Sequence, residues 1–337
     1  MTEAFNALAE FPRTSLLTGP TPLDRLNRLS DHLDIDLWIK RDDLTGLGGG
    51  GNKIRQLEYY FGAAQQEEAD TILITGAVQS NYVRSAAAAA AKLGLKAILQ
   101  LEDRVPDMGE TYKTSGNVFL GQLLGAEHMY YPKGEDEVGA DLALHARADS
   151  LRAEGQTPYV IPLGLDNKPL GALGYMNAAR EILDQGPEFD AIVVASGSGA
   201  THGGLLAGLR ALGSTTPVYG ICVRRNSDEQ SERLKVVTQK ISALLGQTEI
   251  VAPSDILTWD NALAPGYGLL GSKTREAINL MARSEGLFLD PVYTGKSFAG
   301  LIDLLKANQI HSGMRALFVH TGGQPALFAY QNIIEGQ

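Results

Sequence analysis

Residues 39–61 read IKRDDLTGLGGGGNKIRQLEYYF, and the fold turns on how this stretch is built. An apolar strand runs into four consecutive glycines, Gly48 to Gly51, then Asn52 and Lys53, then an amphipathic helix. Glycine at such a place lets the backbone pass close to a flat ligand or to another backbone segment. A lysine at a helix start is unusual, because the positive end of the helix dipole opposes a cation there. Its ammonium gives up its charge easily, which suits a lysine that forms a Schiff base with a carbonyl group. The same residues also read as a flexible surface loop with a solvated lysine, and the stretch alone leaves both readings open.

Outward from this stretch, short apolar runs alternate with longer helical patterns. The strand candidates are DLWIKR around Trp38, TILITG from Thr71, KAILQL from Lys96, YVIPLG from Tyr159, AIVVAS from Ala191, VYGICV from Val218 and ALFVHTG from Ala316. Ala- and Leu-rich stretches between them, such as NYVRSAAAAAAKLGL and THGGLLAGLRALG, predict helices. Strand–helix alternation of this kind predicts parallel sheets with helices on both faces. The alanine run from Ala86 to Ala91 needs only a helix packed closely on a sheet. No fixed-period repeat interrupts the pattern.

At 337 residues the chain suits one large or two linked α/β lobes. A formal net charge of -10 repels nucleic acid and anionic membrane surfaces, so neither is expected as a partner. The single cysteine, Cys222, forbids an intrachain disulfide and reads as a small buried strand residue. None of the six histidines pairs with another at metal-ligand spacing, so no metal is expected. The N-terminus carries acids early and lacks a signal-like apolar core. No apolar run approaches the roughly 20 residues of a membrane span. A cytoplasmic protein is expected.

In open α/β sheets, ligands lie outside the carboxyl ends of the strands, so each strand-to-helix turn is a candidate site. In ITGAVQSNYVRSAAAAAA, residues 74–91, Ser80 and Asn81 are good helix caps; helix-start N–H groups and hydroxyls there also suit a carboxylate or phosphate. In AIVVASGSGATHGGLLAGL, residues 191–209, the small residues Gly197, Ser198, Gly199, Ala200 and Thr201 form an anion nest at a helix start, and phosphate is its natural ligand. A dinucleotide fold is the rival reading. Its glycine spacing fails, since Gly203 comes one residue late, and the next strand ends at Arg224 and Arg225 without an acid for a ribose. Two further turns, DPVYTGKS with Tyr293, Thr294 and Lys296, and HTGGQPAL with Thr321, have the same strand–turn–helix form. Tyr267 sits in the loop APGYGLLG.

Taken in order, GGGGNK, VQSN, GSGATHGGL, DPVYTGKS and HTGGQPAL resemble the pyridoxal-phosphate (PLP) enzymes of fold type II, and among these the D-cysteine desulfhydrase / 1-aminocyclopropane-1-carboxylate (ACC) deaminase family. The similarity runs from PTPLDRL at Pro20 to HTGGQPALFAY. The resemblance implies a tryptophan-synthase-β-like α/β fold of two three-layer lobes with mostly parallel sheets and PLP between them. The large lobe would comprise 1–53 and 163–337, and the small inserted lobe 54–162. It implies Lys53 as the Schiff-base lysine, Asn52 and Thr321 beside the cofactor, Gly197 to Thr201 on its phosphate and Asn81 on its hydroxyl. Ser80 would take the substrate carboxylate, with Asn81, Tyr82, Tyr267 and Tyr293 lining the substrate space. Family members are usually homodimers.

The desulfhydrase and deaminase branches divide at the pyridine nitrogen. Deaminases continue DPVY with Glu; this chain has Thr294, and Thr321 in HTGG. Hydroxyl partners leave that nitrogen largely unprotonated, a weak electron sink that suffices when a good leaving group departs from the β-carbon. The pattern resembles the desulfhydrases and implies β-elimination from a small amino acid, D-cysteine first, to pyruvate, ammonia and hydrogen sulfide, with Lys53 taking the α-proton. Two departures bear on substrate. Relatives carry His or Gln where this chain has Tyr82, and a Gly-Gly-Ser run where it has LGLDNKPLGALGY, residues 163–175. Lys168 in that segment suits an anionic leaving group, which keeps L-cysteate sulfo-lyase as the alternative, and ACC deaminase after it.

Overall fold

The computed structural model describes residues 2–134 and 136–335. Its strands, in chain order, are β1 (Leu23–Arg25), β2 (Asp36–Arg41), β3 (Thr71–Ala77), β4 (Lys96–Glu102), β5 (Glu127–Tyr131), β6 (Pro158–Ile161), β7 (Ala191–Ser196), β8 (Val218–Cys222), β9 (Leu257–Trp259) and β10 (Arg315–His320). They form a six-stranded sheet ordered β1-β2-β10-β7-β8-β9 and a four-stranded sheet ordered β5-β4-β3-β6. Every pairing is parallel except β1 with β2. The seven expected strands are present. The three that sequence reading missed, β1, β5 and β9, all lie at sheet edges and are short or half-exposed, so they lack the apolar run that a doubly covered strand shows.

Both sheets are covered on both faces. In β7, Ile192 and Val194 face the Leu170–Gln185 and Ala200–Ala211 helices, while Ala191 and Val193 face Phe298 and Leu301 on the other side. In β3, Ile72 and Ile74 pack with Ile54, Leu57 and Phe61, and Leu73 packs with Leu144 and Leu151. This two-residue alternation is the pleat of a strand with a helical layer on either side. The alanine run is explained by the same packing. Ala86 to Ala90 are buried on the Asn81–Leu93 helix, against the four-stranded sheet and the glycine loop. Cys222 is buried at the end of β8, and burial pushes its thiol up to about 12, which leaves it unreactive.

One helix belongs to both cores. The Lys53–Gln66 helix gives Ile54, Leu57 and Phe61 to the smaller sheet's core and Tyr59 to the larger one's. Its orientation is fixed by a buried ionic network. Arg55 donates to Asp42 Oδ2 at 2.9 Å and Oδ1 at 2.8 Å, and to Glu181 Oε2 at 2.8 Å. Lys40 reaches Glu181 from β2, and the Tyr175 hydroxyl donates to Asp42. Strand, loop and two helices are thus locked together two residues from Lys53. Among the described residues, no helix is long and apolar enough to cross a membrane, and no cluster of His, Cys, Asp and Glu could hold a metal ion.

Candidate active site

The carboxyl ends of β2, β3, β7 and β10 converge, so the four turns that follow them share one cleft. The glycine loop after β2 lies flat on the alanine helix: a Cβ on Gly48, whose φ is +58°, would stand 2.4 Å from the Ala88 methyl. Arg84 of that helix donates to Gly48 O at 2.6 Å and Gly50 O at 3.0 Å. The Asn52 N–H donates to Thr321 O at 3.0 Å, which sews the loop to the end of β10. Lys53 then opens its helix as expected, with its side chain in the cleft. Its Nζ donates weakly to Gln56 Oε1 at 3.3 Å and lies 5.1 Å from the Tyr82 ring centre. Burial without a carboxylate partner lowers its pKa to about 8. The surface-loop reading of this lysine is excluded.

The turn after β7 has the form of an anion nest. Gly199 stands at the N-cap of the Ala200–Ala211 helix with φ +97°, a conformation that glycine adopts without strain. Gly197, Ser198, Gly199 and Thr201 line the inner cleft with Asn52, Lys53, Asn81 and Thr321, and Ala200 lines its outer part. Thr201 Oγ1 accepts from Asn52 Nδ2 and from Gln56 Nε2, each at 2.8 Å. Two donors on the oxygen leave the hydroxyl proton to be given to an anion. Asn52 therefore acts through Thr201. Gln56, which sequence reading missed, is one helical turn from Lys53 and touches both Lys53 and Thr201.

Ser80 caps the Asn81–Leu93 helix, its Oγ accepting from Tyr82 N at 3.2 Å and Val83 N at 3.4 Å, and it faces the same cleft. Asn81 Oδ1 accepts from Asn117 Nδ2 at 3.0 Å, which fixes the amide and turns its own Nδ2 donor to other use. Tyr82 is buried beside Tyr60 and Lys53. Opposite stand Tyr267 and Tyr293, their hydroxyls 2.8 Å apart and their rings edge to face. Burial raises the Tyr293 hydroxyl well above its ordinary pKa, and the neighbouring Tyr267 adds to this, so Tyr293 stays protonated.

Thr294 does not reach the cleft. Its Oγ1 donates to Asp290 Oδ1 at 2.7 Å and accepts from Asp290 N at 2.8 Å, and the residue is fully buried. Asp290 also accepts the backbone N–H groups of Val292, Tyr293 and Thr294, so that Thr294 belongs to a helix cap. Of the two threonines expected at the pyridine nitrogen, only Thr321 lines the cleft.

Apart from Lys168, the outer wall of the cleft escaped sequence reading. Arg104, Arg224, Arg233, Lys168 and Lys240 line it, and among the described residues Glu137 is its one acidic side chain. Glu137 Oε1 accepts from Arg224 at 2.5 Å and from Arg225 at 2.9 Å, across some 87 residues of chain. Arg233 donates to Ser198 O at 2.8 Å, bracing the nest from behind. The guanidinium carbon of Arg224 lies 5.9 Å from the Tyr267 ring centre. Nothing in the local sequence of these arginines signals that they meet.

These residues fit PLP. An uncharged-prone buried amine, a nest at a helix N-terminus with a free hydroxyl proton, and an amide donor lie around one cleft. The family model for the pyridoxal-phosphate dependent enzymes matches residues 14–322. D-cysteine desulfhydrases of Yersinia enterocolitica and Salmonella typhi are each 44% identical over 326 residues, which covers 96% of this chain and 97% of theirs. A crystal structure of an ACC deaminase homologue superposes with a TM-score of 0.87 at 38% identity, covering 99% of this chain and 98% of that one. O-ureido-L-serine synthase, at 18% identity and a TM-score of 0.65, shares the fold.

Proposed function

The chain belongs to the pyridoxal-phosphate dependent enzymes, and from that premise we propose that it is a carbon–sulfur lyase that converts D-cysteine and water to pyruvate, ammonia and hydrogen sulfide. The observation that carries this reading is the Lys53 amine, half-buried without a carboxylate partner and facing the same cleft as Tyr267, Tyr293 and the helix start at Ser80. PLP, when bound, supplies the electron sink that makes the amino acid's α-proton labile and lets its β-substituent leave. In this reading Ser80 Oγ and the helix-start N–H groups hold the substrate carboxylate. Lys53 Nζ, which gives up its charge at about 8, takes the α-proton in its neutral form. The turn from Gly197 to Thr201 would hold the phosphate. Asn81 Nδ2 would donate to the cofactor hydroxyl. Thr321 would meet the pyridine nitrogen, where a neutral hydroxyl would keep the ring a weak sink. The Tyr267–Tyr293 pair closes the side on which hydrosulfide leaves and supplies its proton.

The test is pyruvate release from D-cysteine, L-cysteine, L-cysteate, β-chloroalanine and ACC. D-cysteine is expected to be turned over efficiently and ACC hardly at all. Efficient conversion of ACC to 2-oxobutanoate would overturn the reading. The basic outer wall favours one second reading, an anionic β-substituent such as the sulfonate of L-cysteate. Turnover of L-cysteate with none of D-cysteine would select it and leave the elimination chemistry intact.

We divide the chain into a large lobe of 1–53 and 163–337 and a small inserted lobe of 54–162, one sheet in each. A cytoplasmic homodimer is the assembly we propose. The exposed Phe119 and Phe328, which line one groove, support an interface there.

A further inference from the structure

The Thr294–Lys306 helix carries a buried cation that none of the steps above uses. Lys296 has no exposed surface. Among the described residues its Nζ donates to two backbone carbonyls, Leu263 O at 2.6 Å and Gly266 O, and to no carboxylate. Burial lowers its pKa to about 8, and nearby Asp290 offsets part of the effect. An ammonium removed from water and given only carbonyls is a costly way to hold a loop, when an apolar side chain would fill the same volume.

What it holds is the segment 260–271, which contains neither helix nor strand and carries Tyr267. Its backbone is held by three separate turn bonds, Leu263 N–H to Asp260 O, Gly266 N–H to Leu263 O and Leu269 N–H to Gly266 O, with no continuous ladder, so side chains that reach its carbonyls add to what keeps its shape. Lys296 gives a second donor to two of these turn acceptors, Leu263 O four residues before Tyr267 and Gly266 O immediately before it, and the Tyr330 hydroxyl donates to Gly268 O, immediately after, at 2.7 Å. Lys296 also lies three residues after Tyr293, on the helix that Tyr293 caps. One helix start therefore sets both tyrosines, Tyr293 through the backbone and Tyr267 through the lysine. We propose that Lys296 is a positioning residue, fixing the carbonyls at 263 and 266 so that the Tyr267 hydroxyl stays opposed to that of Tyr293. The proposal rests on Tyr267 acting at the substrate.

The test uses the holoenzyme and the variants Lys296→Met, Tyr267→Phe and the double variant. Lys296→Met keeps length and apolar bulk and removes the donors. It should retain bound PLP, with its visible absorbance, and lose about ten- to a hundred-fold in kcat, the cost of a reacting group displaced by about 1 Å. Tyr267→Phe added to it should cost little more, because both changes remove the same positioned hydroxyl. Amide hydrogen exchange in 260–271 should be at least about ten-fold faster in Lys296→Met, while Lys273→Met should leave it unchanged. Lys273 is an exposed lysine that donates to Asn261 O of the same segment. Losses that multiply in the double variant, or unchanged exchange in 260–271, would overturn the proposal. Wild-type turnover by Tyr267→Phe alone would count against the reading of the site, and the exchange measurement would then decide for Lys296 by itself. Should the methionine variant not fold, Lys296→Gln, which keeps two N–H donors without the charge, is expected to show a smaller loss with the same non-additivity; additive losses there overturn it equally.

Discussion

Lys53 draws its reactivity from what is missing around it. Among the described residues its Nζ donates to an amide oxygen and lies over the Tyr82 ring, and no carboxylate stabilises its charge. The ammonium therefore ionises at about 8 in place of the ordinary 10.5. Only the neutral amine attacks a carbonyl, so the fraction competent to link PLP rises with pH through about 8 and is nearly complete above it. The rate of PLP uptake by the cofactor-free protein, followed by its visible absorbance, should climb between pH 7 and about 9 and then level off. A rate that keeps climbing toward the ordinary lysine range would show that the amine is solvated. The residue scale also contains the clearest shortfall of sequence reading. Thr294 occupies the motif position expected beside the pyridine nitrogen, yet its hydroxyl is consumed on both sides by Asp290. Motif spacing places a residue along the chain, and rotamer and cap decide where its hydroxyl points.

Helix starts are the working parts at the scale of elements. The Lys53–Gln66, Asn81–Leu93 and Ala200–Ala211 helices present their first turns to the cleft, and the Thr294–Lys306 helix presents its N-cap residue, Tyr293. Three follow from recognisable sequence: a glycine run, a Ser-Asn cap and a small-residue turn. The fourth depends on Asp290, whose carboxylate accepts three backbone N–H groups and the Thr294 hydroxyl. Removing that side chain leaves these donors buried and unpaired, at about 1–3 kcal/mol for a single such group. Asp290→Ala should lower thermal stability by at least that much and, by freeing the backbone at Tyr293, reduce kcat while PLP is retained. Asp290→Asn, which keeps one acceptor oxygen, should be milder on both counts. Calorimetry and turnover on the two variants check this. An Asp290→Ala protein with wild-type melting and turnover would show that the cap does not set Tyr293.

Across the whole molecule, the buried network of Asp42, Arg55, Glu181 and Lys40 ties β2, the glycine loop and two helices into one block behind the cleft. Burial alone would raise the Asp42 carboxyl, but Arg55 overrides it and holds the group below its ordinary value of 3.8. Because the folded pKa is the lower one, this stabilisation is present above pH 3.8 and is lost as pH falls through the folded value. Arg55→Met should leave Asp42 as an uncompensated buried charge and cost about 3–5 kcal/mol in chemical unfolding. The midpoint of acid unfolding should move upward in the same variant. A cost below about 1 kcal/mol would mean that the network is dispensable.

By itself the sequence determined the strand–helix alternation, the doubly covered strands, the lysine at a helix start and the nest at Gly197 to Thr201. Each of these is local: it needs only a short apolar run, a cap or a glycine, and the physics of a single turn. Tertiary structure alone decided the rest. Arg224, Arg225 and Arg233 converge on Glu137 only because the two sheets face each other. Lys296 finds two carbonyls thirty and more residues upstream. Gln56 was within reach of sequence reasoning, since it lies on the same helical face as Lys53, but its bond to Thr201 spans 145 residues. Contacts of that kind are set by how helices dock on sheets, a matter of side-chain volumes summed over the whole core, and no window of sequence contains them.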